Sequence, residues 1–199
     1  MKKTLSMLLA GAMLAAALTG CGSSASTGSD NADSSTDSSA SGAAFKLGGT
    51  GPLTGANAIY GNACKNGAQI AVDEINAEGG DIQFELNYQD DEGDAEKAVN
   101  AYNTLKDWGM QLSLGSVTSK PCEATAAENY SDRIFALTPS ASSVAVTADK
   151  DNVFQMCFMD PNQGTASAQY IAEQKLGTKV AIIWKNDDVY STGIHDKFV

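Results

Sequence analysis

Residues 111–137 read QLSLGSVTSKPCEATAAENYSDRIFAL, which is an apolar run, a helical pattern and a second apolar run in succession. The two runs, Gln111–Leu114 and Arg133–Leu137, are short and rich in aliphatic or aromatic residues, as buried strands are. Between them, Ser119 is a residue type that caps helix N-termini, so a helix is expected to open there. A strand, a helix and a second strand in this order predict two parallel strands joined by a crossover helix.

The same alternation continues on both sides of this stretch. Further strands are predicted at Phe45–Gly49, Ile82–Tyr88, Val153–Phe158 and Val180–Trp184. Further helices are predicted at Ile59–Ile75, at Asp94–Trp108, at about Thr165–Leu176 and from about Ser191. The sequence therefore predicts an α/β fold, in which helices cover both faces of a mostly parallel sheet. Ligands of such folds bind beyond the carboxyl ends of the strands.

The composition narrows the range of functions. The 199 residues include 13 Lys and Arg against 24 Asp and Glu, and the resulting net charge of −11 disfavours binding to nucleic acid. A single His leaves little room for Ser-His or Cys-His catalysis, and the four Cys show no paired zinc spacing. No catalytic residue, metal site or cofactor is therefore predicted. The acidic run Asp90–Asp94 lacks the spacing of a calcium loop, and we expect a solvated helix entrance there.

The N-terminus has the pattern of an export signal. Two lysines follow the initiator methionine, and the apolar stretch Leu5–Leu18 ends in small residues. Leu18–Cys21 resembles the bacterial lipobox, in which the chain is cut before the cysteine and the thiol receives a lipid. Residues 1–20 are therefore predicted to be a lipoprotein signal peptide, and lipid on Cys21 would anchor the exported protein to the outer face of the cytoplasmic membrane. An ordinary secretory signal with an accidental cysteine is the alternative.

The segment after Cys21 has the composition of a tether. Residues 22–44 are almost entirely Ser, Gly, Ala, Thr, Asp and Asn, with no large apolar residue. Such a segment cannot offset the entropy that it would lose on ordering. Residues 21–44 are therefore predicted to be the lipidated cysteine and a disordered tether, and the folded part is expected to begin at Phe45.

Two of the predicted strands end in loops that are rich in hydroxyl groups. The first loop, Gly115–Pro121, leads into the helix at Ser119, and a helix N-terminus offers unpaired N–H groups to a ligand carboxylate. The second loop, Thr138–Ser143, can accept hydrogen bonds from the ammonium of a small zwitterion and donate to its carboxylate. An ordinary helix cap and a plain turn are the alternatives. These serines have no base beside them, so nucleophilic catalysis is not expected.

A series of short motifs follows in a fixed order along the folded part. They are Gly51-Pro52-Leu53-Thr54-Gly55, Tyr60-Gly61, Asn66-Gly67-Ala68, Ala71–Gly80, Asp90-Asp91, Thr138-Pro139-Ser140-Ala141 and Gln163-Gly164. The series resembles the extracellular solute-binding proteins of ABC importers, in the leucine/isoleucine/valine-binding branch, over residues 45–199. The resemblance implies a type I periplasmic-binding-protein fold, whose two α/β lobes close on a ligand around a hinge. Residues 45–161 would form the first lobe. Residues 162–199 would begin a second lobe that is incomplete, because family members are considerably longer.

The resemblance also implies a set of ligand-binding residues. By position, serine hydroxyls and backbone groups of the first lobe would hold the head group of an amino acid, and one tyrosine from each lobe would flank it. These residues are Ser119, Ser140, Ala141 and Ser142, with Tyr60 in the first lobe and Tyr190 in the second. An aromatic packing role for Tyr60 and a plain surface position for Tyr190 are the alternatives. Cys64, Cys122 and Cys157 are expected to be free thiols, although an exported protein could hold a disulfide.

The function that the resemblance implies is binding rather than catalysis. The protein would be a membrane-anchored extracellular solute-binding protein that closes on a small amino acid, with the branched-chain type preferred. It would deliver this amino acid to the permease subunits of an ABC importer. A sensory module for amides, urea or amino acids is one alternative, and an exported α/β enzyme is another.

Overall fold

The computed structural model describes residues 44–199. The strands are β1 (Phe45–Gly51), β2 (Phe84–Asp90), β3 (Leu112–Ser113), β4 (Phe135–Thr138) and β5 (Val153–Gln155). The helices are α1 (Ala58–Ala77), α2 (Ala95–Trp108), α3 (Ser119–Asp132), α4 (Asp160–Glu173) and α5 (Val189–Phe198), with a 3₁₀ turn at Val144–Val146. The predicted signal peptide of residues 1–20, Cys21 and the tether up to residue 43 lie outside the described residues.

The five strands form one parallel sheet in the order β2-β1-β3-β4-β5. In its register, Leu47 of β1 lies between Leu86 of β2 and Leu112 of β3. Right-handed crossovers in this strand order put α1 on one face of the sheet and α2 and α3 on the other, and α2 packs against α3. The predicted α/β fold with a parallel sheet is confirmed.

Helix α2 shows how local sequence sets the boundaries of an element. The Asp94 carboxylate caps its first turn by accepting from the N–H groups of Glu96 at 2.9 Å and Lys97 at 3.0 Å. Gly109 ends the helix with a φ of 93°, a left-handed conformation that glycine adopts without a Cβ clash. Both signals are visible in the sequence, and the predicted helix at Asp94–Trp108 is confirmed.

Two clusters of buried apolar side chains hold the layers together. One is formed by Tyr102, Leu105 and Met110, which join α2 to the sheet. The other joins α3, the sheet and the chain after β4, and its members are Cys122, Ala126, Ala136, Ala141, Val146 and Val153. Because Ala141 belongs to this cluster, the predicted binding loop at Thr138–Ser143 is anchored directly on the core.

The strand predicted at Val180–Trp184 is wrong, because this segment is irregular in the structure. The side chain of Ile183 is 98% exposed, and in residues 44–199 no strand lies beside the segment to form a ladder. A strand needs such a neighbour to pair its N–H and C=O groups. An apolar run of the right length therefore predicts a strand only where a partner strand is present.

Helix α4 begins at Asp160, earlier than the predicted start near Thr165. The start signal that the prediction missed is Pro161, which is tolerated in the first turn of a helix because its missing N–H is not needed there. Among the helices of residues 44–199, none combines the length and the apolar content that crossing a bilayer requires.

Candidate ligand-binding site

The loops after β3 and β4, which we call the serine loops (residues 115–121 and 138–143), meet at the carboxyl edge of the sheet because these strands are neighbours. The hydroxyl of Ser119, at the start of α3, accepts hydrogen bonds from the N–H groups of Ser142 and Ser143, both at 3.2 Å. The hydroxyl of Thr138 donates to the carbonyl of Ser116 at 2.7 Å. The structure therefore joins the two predicted loops by direct hydrogen bonds.

Within residues 44–199, the Ser119 hydroxyl accepts two hydrogen bonds and donates none. In both of its hydrogen bonds the oxygen accepts, and a serine hydroxyl has two acceptor positions and one donor. The N-cap residue of α3, Thr118, makes no side-chain cap, and N–H groups of a first helical turn have no intrahelical acceptor. The hydroxyl proton and these N–H groups together form a donor set that suits a carboxylate.

The four predicted first-lobe residues differ in their exposure. Ser119 and Ser142 are each 5% exposed and Ala141 is 1% exposed, whereas the side chain of Ser140 is open to solvent. Ser119 and Ser142 are buried because the two serine loops pack against each other. Burial removes competing water, so a hydrogen bond from these groups to a ligand is stronger than at an open surface.

The structure places the two predicted tyrosines at helix starts. Tyr60 lies in the first turn of α1 and is 60% exposed, and Tyr190 lies in the first turn of α5 and is 43% exposed. Within residues 44–199, no hydrogen bond joins either tyrosine to the serine loops. The structure therefore brings together Ser119, Ser140, Ala141 and Ser142 but leaves both tyrosine rings at the surface.

Asp160, at the start of α4, is a site residue that the sequence analysis missed. Its backbone N–H donates to the carbonyl of Ser142 at 3.0 Å, so it adjoins the serine loops. Its side chain is only 1% exposed, yet within the described part of the chain neither carboxylate oxygen has a hydrogen-bond partner. The available signal in the sequence was an acid directly before a proline at a helix start. The burial of Asp160 could not be predicted from this signal, because it depends on α5, whose Gly193 packs against Asp160.

The surroundings of Asp160 are negative. Burial raises the pKa of this carboxyl above its ordinary value, the neighbouring Ser142 side chain lowers it, and the charges of Asp188 and Glu123 raise it further. A buried carboxylate without hydrogen-bond partners is unfavourable unless it is protonated or paired with a cation. This corner of the site therefore attracts a positively charged group.

Asp91 forms a second buried acidic position, which corrects the expectation of a solvated entrance at Asp90–Asp94. Asp94 is exposed as expected, but Asp91 is 0% exposed and accepts from the N–H of Gly93 at 2.8 Å. Burial raises the pKa of Asp91, while the Gly93 N–H and the hydroxyl of Thr50 oppose the rise. Asp91 is turned inward because its own N–H donates to the carbonyl at the end of β1.

Two open cavities lie in the described part of the chain. One, of about 690 Å³, lies against α4 and includes Phe158 and Tyr170 in its wall. The other, of about 570 Å³, lies between the serine loop residue Ser143 and residues of α5 such as Thr192. Neither cavity is lined by any of the six predicted ligand residues. In residues 44–199 no cluster of His, Cys, Asp and Glu side chains could hold a metal ion.

The family of the chain follows from comparison with known proteins. A family model described as periplasmic binding protein matches residues 44–199. The chain belongs to the periplasmic binding protein family. The family description and the name of the similar protein LivJ both describe binding proteins. The family resemblance predicted from the sequence motifs is confirmed.

Several similar proteins are named as binding proteins for branched-chain amino acids. The Leu/Ile/Val-binding protein BraC3 of Rhizobium johnstonii is 35% identical over 153 residues, which cover 74% of this chain and 41% of BraC3. The substrate-binding protein LivJ of Streptococcus pneumoniae, solved in complex with isoleucine, has a TM-score of 0.74 and 30% identity over 78% of this chain and 46% of LivJ. The leucine-binding protein LivK of Thermotoga maritima has a TM-score of 0.72 and 25% identity over 77% of this chain and 44% of LivK. The type I periplasmic-binding-protein fold is therefore confirmed, and the chain spans less than half the length of these relatives.

Proposed function

We propose that this chain forms the first lobe and the start of the second lobe of an exported solute-binding protein that delivers a small amino acid to an ABC importer. The observation that carries the proposal is the Ser119 hydroxyl, which joins both serine loops as an acceptor and keeps its proton for a ligand. The ligands in the names of the relatives, Leu/Ile/Val for BraC3 and isoleucine for LivJ, support a branched-chain amino acid.

The carboxylate of the amino acid binds at the start of α3. There it accepts hydrogen bonds from the Ser119 hydroxyl and from first-turn N–H groups, and the positive end of the helix dipole favours its charge. Hydrogen bonds to charged groups contribute roughly 1.5–3 kcal/mol each. Two or three of them, with burial of an aliphatic side chain, account for a micromolar dissociation constant, which corresponds to about −8 kcal/mol.

The ammonium of the amino acid binds beside the carboxylate, at the second serine loop. The carbonyl groups of Ser140 and Ala141 accept from it, and the buried Asp160 carboxylate supplies the opposite charge. This pairing accounts for a buried acid beside Ser142 that has no hydrogen-bond partner within residues 44–199. The zwitterion therefore meets donors from the first serine loop and acceptors from the second, two loops that are joined by hydrogen bonds.

Closure of the two lobes completes the site. Residues 45–161 form the first lobe and residues 162–199 begin the second, so Tyr60 and Tyr190 approach the ligand from different lobes. Both rings are substantially exposed in this structure, and covering them against an aliphatic side chain favours the closed state. The closed form docks on the permease subunits.

A ligand screen tests the proposal. The complete gene product is heated with each of the twenty amino acids and with small amides, and its unfolding temperature is recorded. A ligand at about 100 times its dissociation constant stabilises the folded state by roughly 2.7 kcal/mol, so leucine, isoleucine or valine should raise the unfolding temperature by several degrees. No shift with any amino acid would contradict the proposal, and a shift with amides alone would favour the sensory alternative.

Anchoring through Cys21 is tested separately. In a bacterial host, the wild-type protein should incorporate labelled fatty acid and sediment with membranes, and Cys21→Ala should do neither. Cys64→Ala is the matched control, because Cys64 lies on α1 in the folded part and its replacement leaves the lipobox intact. A wild-type protein that carries no label would show that the cysteine of this motif is not lipidated.

A further inference from the structure

Cys157 faces the backbone of the second serine loop. Its Sγ lies 3.1 Å from the carbonyl oxygen of Ser140 and 3.2 Å from that of Ala141. It reaches them because it follows β5, which pairs with β4 directly before that loop. These are the two carbonyl groups to which the proposed function assigns the ligand ammonium.

We infer that Cys157 is a positioning residue, whose thiol holds the Ser140–Ala141 peptide group in the orientation that binds an amino acid. This inference rests on the proposed function. The N–H of this peptide, which belongs to Ala141, donates to the Thr138 hydroxyl at 3.1 Å, and its C=O accepts from Cys157 at 3.1 Å. The peptide plane is therefore held at both ends, by one side chain from β4 and one from the chain after β5.

The neighbourhood of Cys157 keeps the thiol in its donor form. Burial raises the pKa of Cys157, and the negative charge of Asp160 raises it as well. A thiol that keeps its proton donates to a carbonyl, whereas a thiolate would repel both carbonyl oxygens. Asp160 is also an independent sign that a ligand belongs here, since its buried carboxylate has no hydrogen-bond partner within residues 44–199.

The positions of the other cysteines provide a matched control. Cys64 is also a half-buried free thiol, but it lies on α1, and its Sγ makes no hydrogen bond to the serine loops in the described part of the chain. Replacing Cys64 removes a thiol of similar exposure from the same protein without touching the peptide group that Cys157 holds.

The test uses the complete gene product with Cys157→Ala, Cys157→Ser and Cys64→Ala. Affinity for L-leucine and L-isoleucine is measured by calorimetry, and amide hydrogen exchange of residues 139–144 is measured without ligand. Loss of one hydrogen bond to a binding group should weaken both amino acids about fivefold to tenfold in Cys157→Ala. A serine hydroxyl still donates, so Cys157→Ser should stay within about threefold of the wild type. Cys64→Ala should match the wild type.

The two readouts separate the possible results. Faster exchange in the loop together with weaker binding, both restored by serine, supports the inference. Unchanged affinity in Cys157→Ala overturns it, even if the loop exchanges faster. Equal losses in the alanine and serine variants, with a lower unfolding temperature, overturn it in favour of a packing role. A wild-type protein that binds neither amino acid contradicts the proposed function, and this inference falls with it.

Discussion

The serine loops are largely irregular, as is the segment of residues 174–188, but the first region buries polar groups whereas the second exposes apolar ones. In the serine loops Ser119 and Ser142 are buried, because hydrogen bonds between the loops replace those to water. In residues 174–188 the side chain of Leu176 is 64% exposed and that of Ile183 is 98% exposed. Burial in these two regions depends on interaction partners. A hydroxyl that accepts hydrogen bonds from two N–H groups can be buried, whereas an apolar run without a neighbouring strand remains exposed.

The largest expected effect concerns Asp160, a buried acid whose carboxylate oxygens have no hydrogen-bond partner within residues 44–199. Asp160→Asn removes the charge that pairs with the ligand ammonium, so amino-acid affinity should fall about 100-fold, as expected for loss of a hydrogen bond between charged groups. The ligand-free protein should be no less stable, because an unpaired buried carboxylate is unfavourable. Calorimetry and thermal unfolding measure the two effects. Asp151→Asn, which changes an exposed acid paired with Arg133, should leave affinity unchanged; equal losses in both variants would contradict the assigned role of Asp160.

A smaller effect is expected at Ser119, whose hydrogen-bond partners are present in the structure. Ser119→Ala removes the acceptor of two backbone N–H groups and one donor to the ligand carboxylate. The free energy of unfolding should fall by about 1–3 kcal/mol and affinity by about tenfold. Ser113→Ala is the control, because that hydroxyl is equally buried but, in the described part of the chain, accepts from a single N–H group, that of Gly115. If Ser113→Ala weakens binding as much as Ser119→Ala does, the hydroxyl at the start of α3 has no special part in the site.

The third prediction concerns pH and uses the buried Asp91. Burial raises its pKa in the folded state, so between the ordinary Asp pKa of about 4 and the raised value the folded state holds a proton that the unfolded state has released. This group therefore lowers the free energy of unfolding as pH rises through that window. The Asp91→Asn variant has no titrating carboxyl at this position. Its free energy of unfolding relative to the wild type, measured by denaturant unfolding, should therefore increase with pH. A difference that is independent of pH would show that the pKa of Asp91 is not raised.

The smallest effect is expected in the exposed segment of residues 174–188. Ile183→Ser replaces a side chain that is 98% exposed, so the free energy of unfolding of residues 1–199 should change by less than about 0.5 kcal/mol. Val146→Ala, in a fully buried position under the serine loops, should cost more than about 1 kcal/mol because it leaves a cavity. Denaturant unfolding of the two variants measures the contrast, and a large loss in Ile183→Ser would show that this segment is packed.

Much of the fold could be predicted because its signals are local. Apolar periodicity, Asp94 and Gly109 set α2, and strand–helix alternation predicted the parallel sheet that the structure shows. The approach of Ser119 to Ser142 followed from topology, because neighbouring parallel strands end at the same edge. What could not be predicted depends on contacts distant in sequence. Asp160 is buried by α5, and Asp91 is turned toward the end of β1.

The close contact between α4 and α5 restricts how this part of the chain can evolve. A Cβ added at Gly164 would lie 2.2 Å from the carbonyl oxygen of Ile194, and one added at Gly193 would lie 2.9 Å from the Cβ of Asp160. Either substitution would force the two helices apart, and at Gly193 it would also open the cover over Asp160 to water. Under the proposed function, substitutions at the exposed rings of Tyr60 and Tyr190 would change which solute is bound, whereas a substitution at either glycine would disturb the packing of α4 against α5 for every solute.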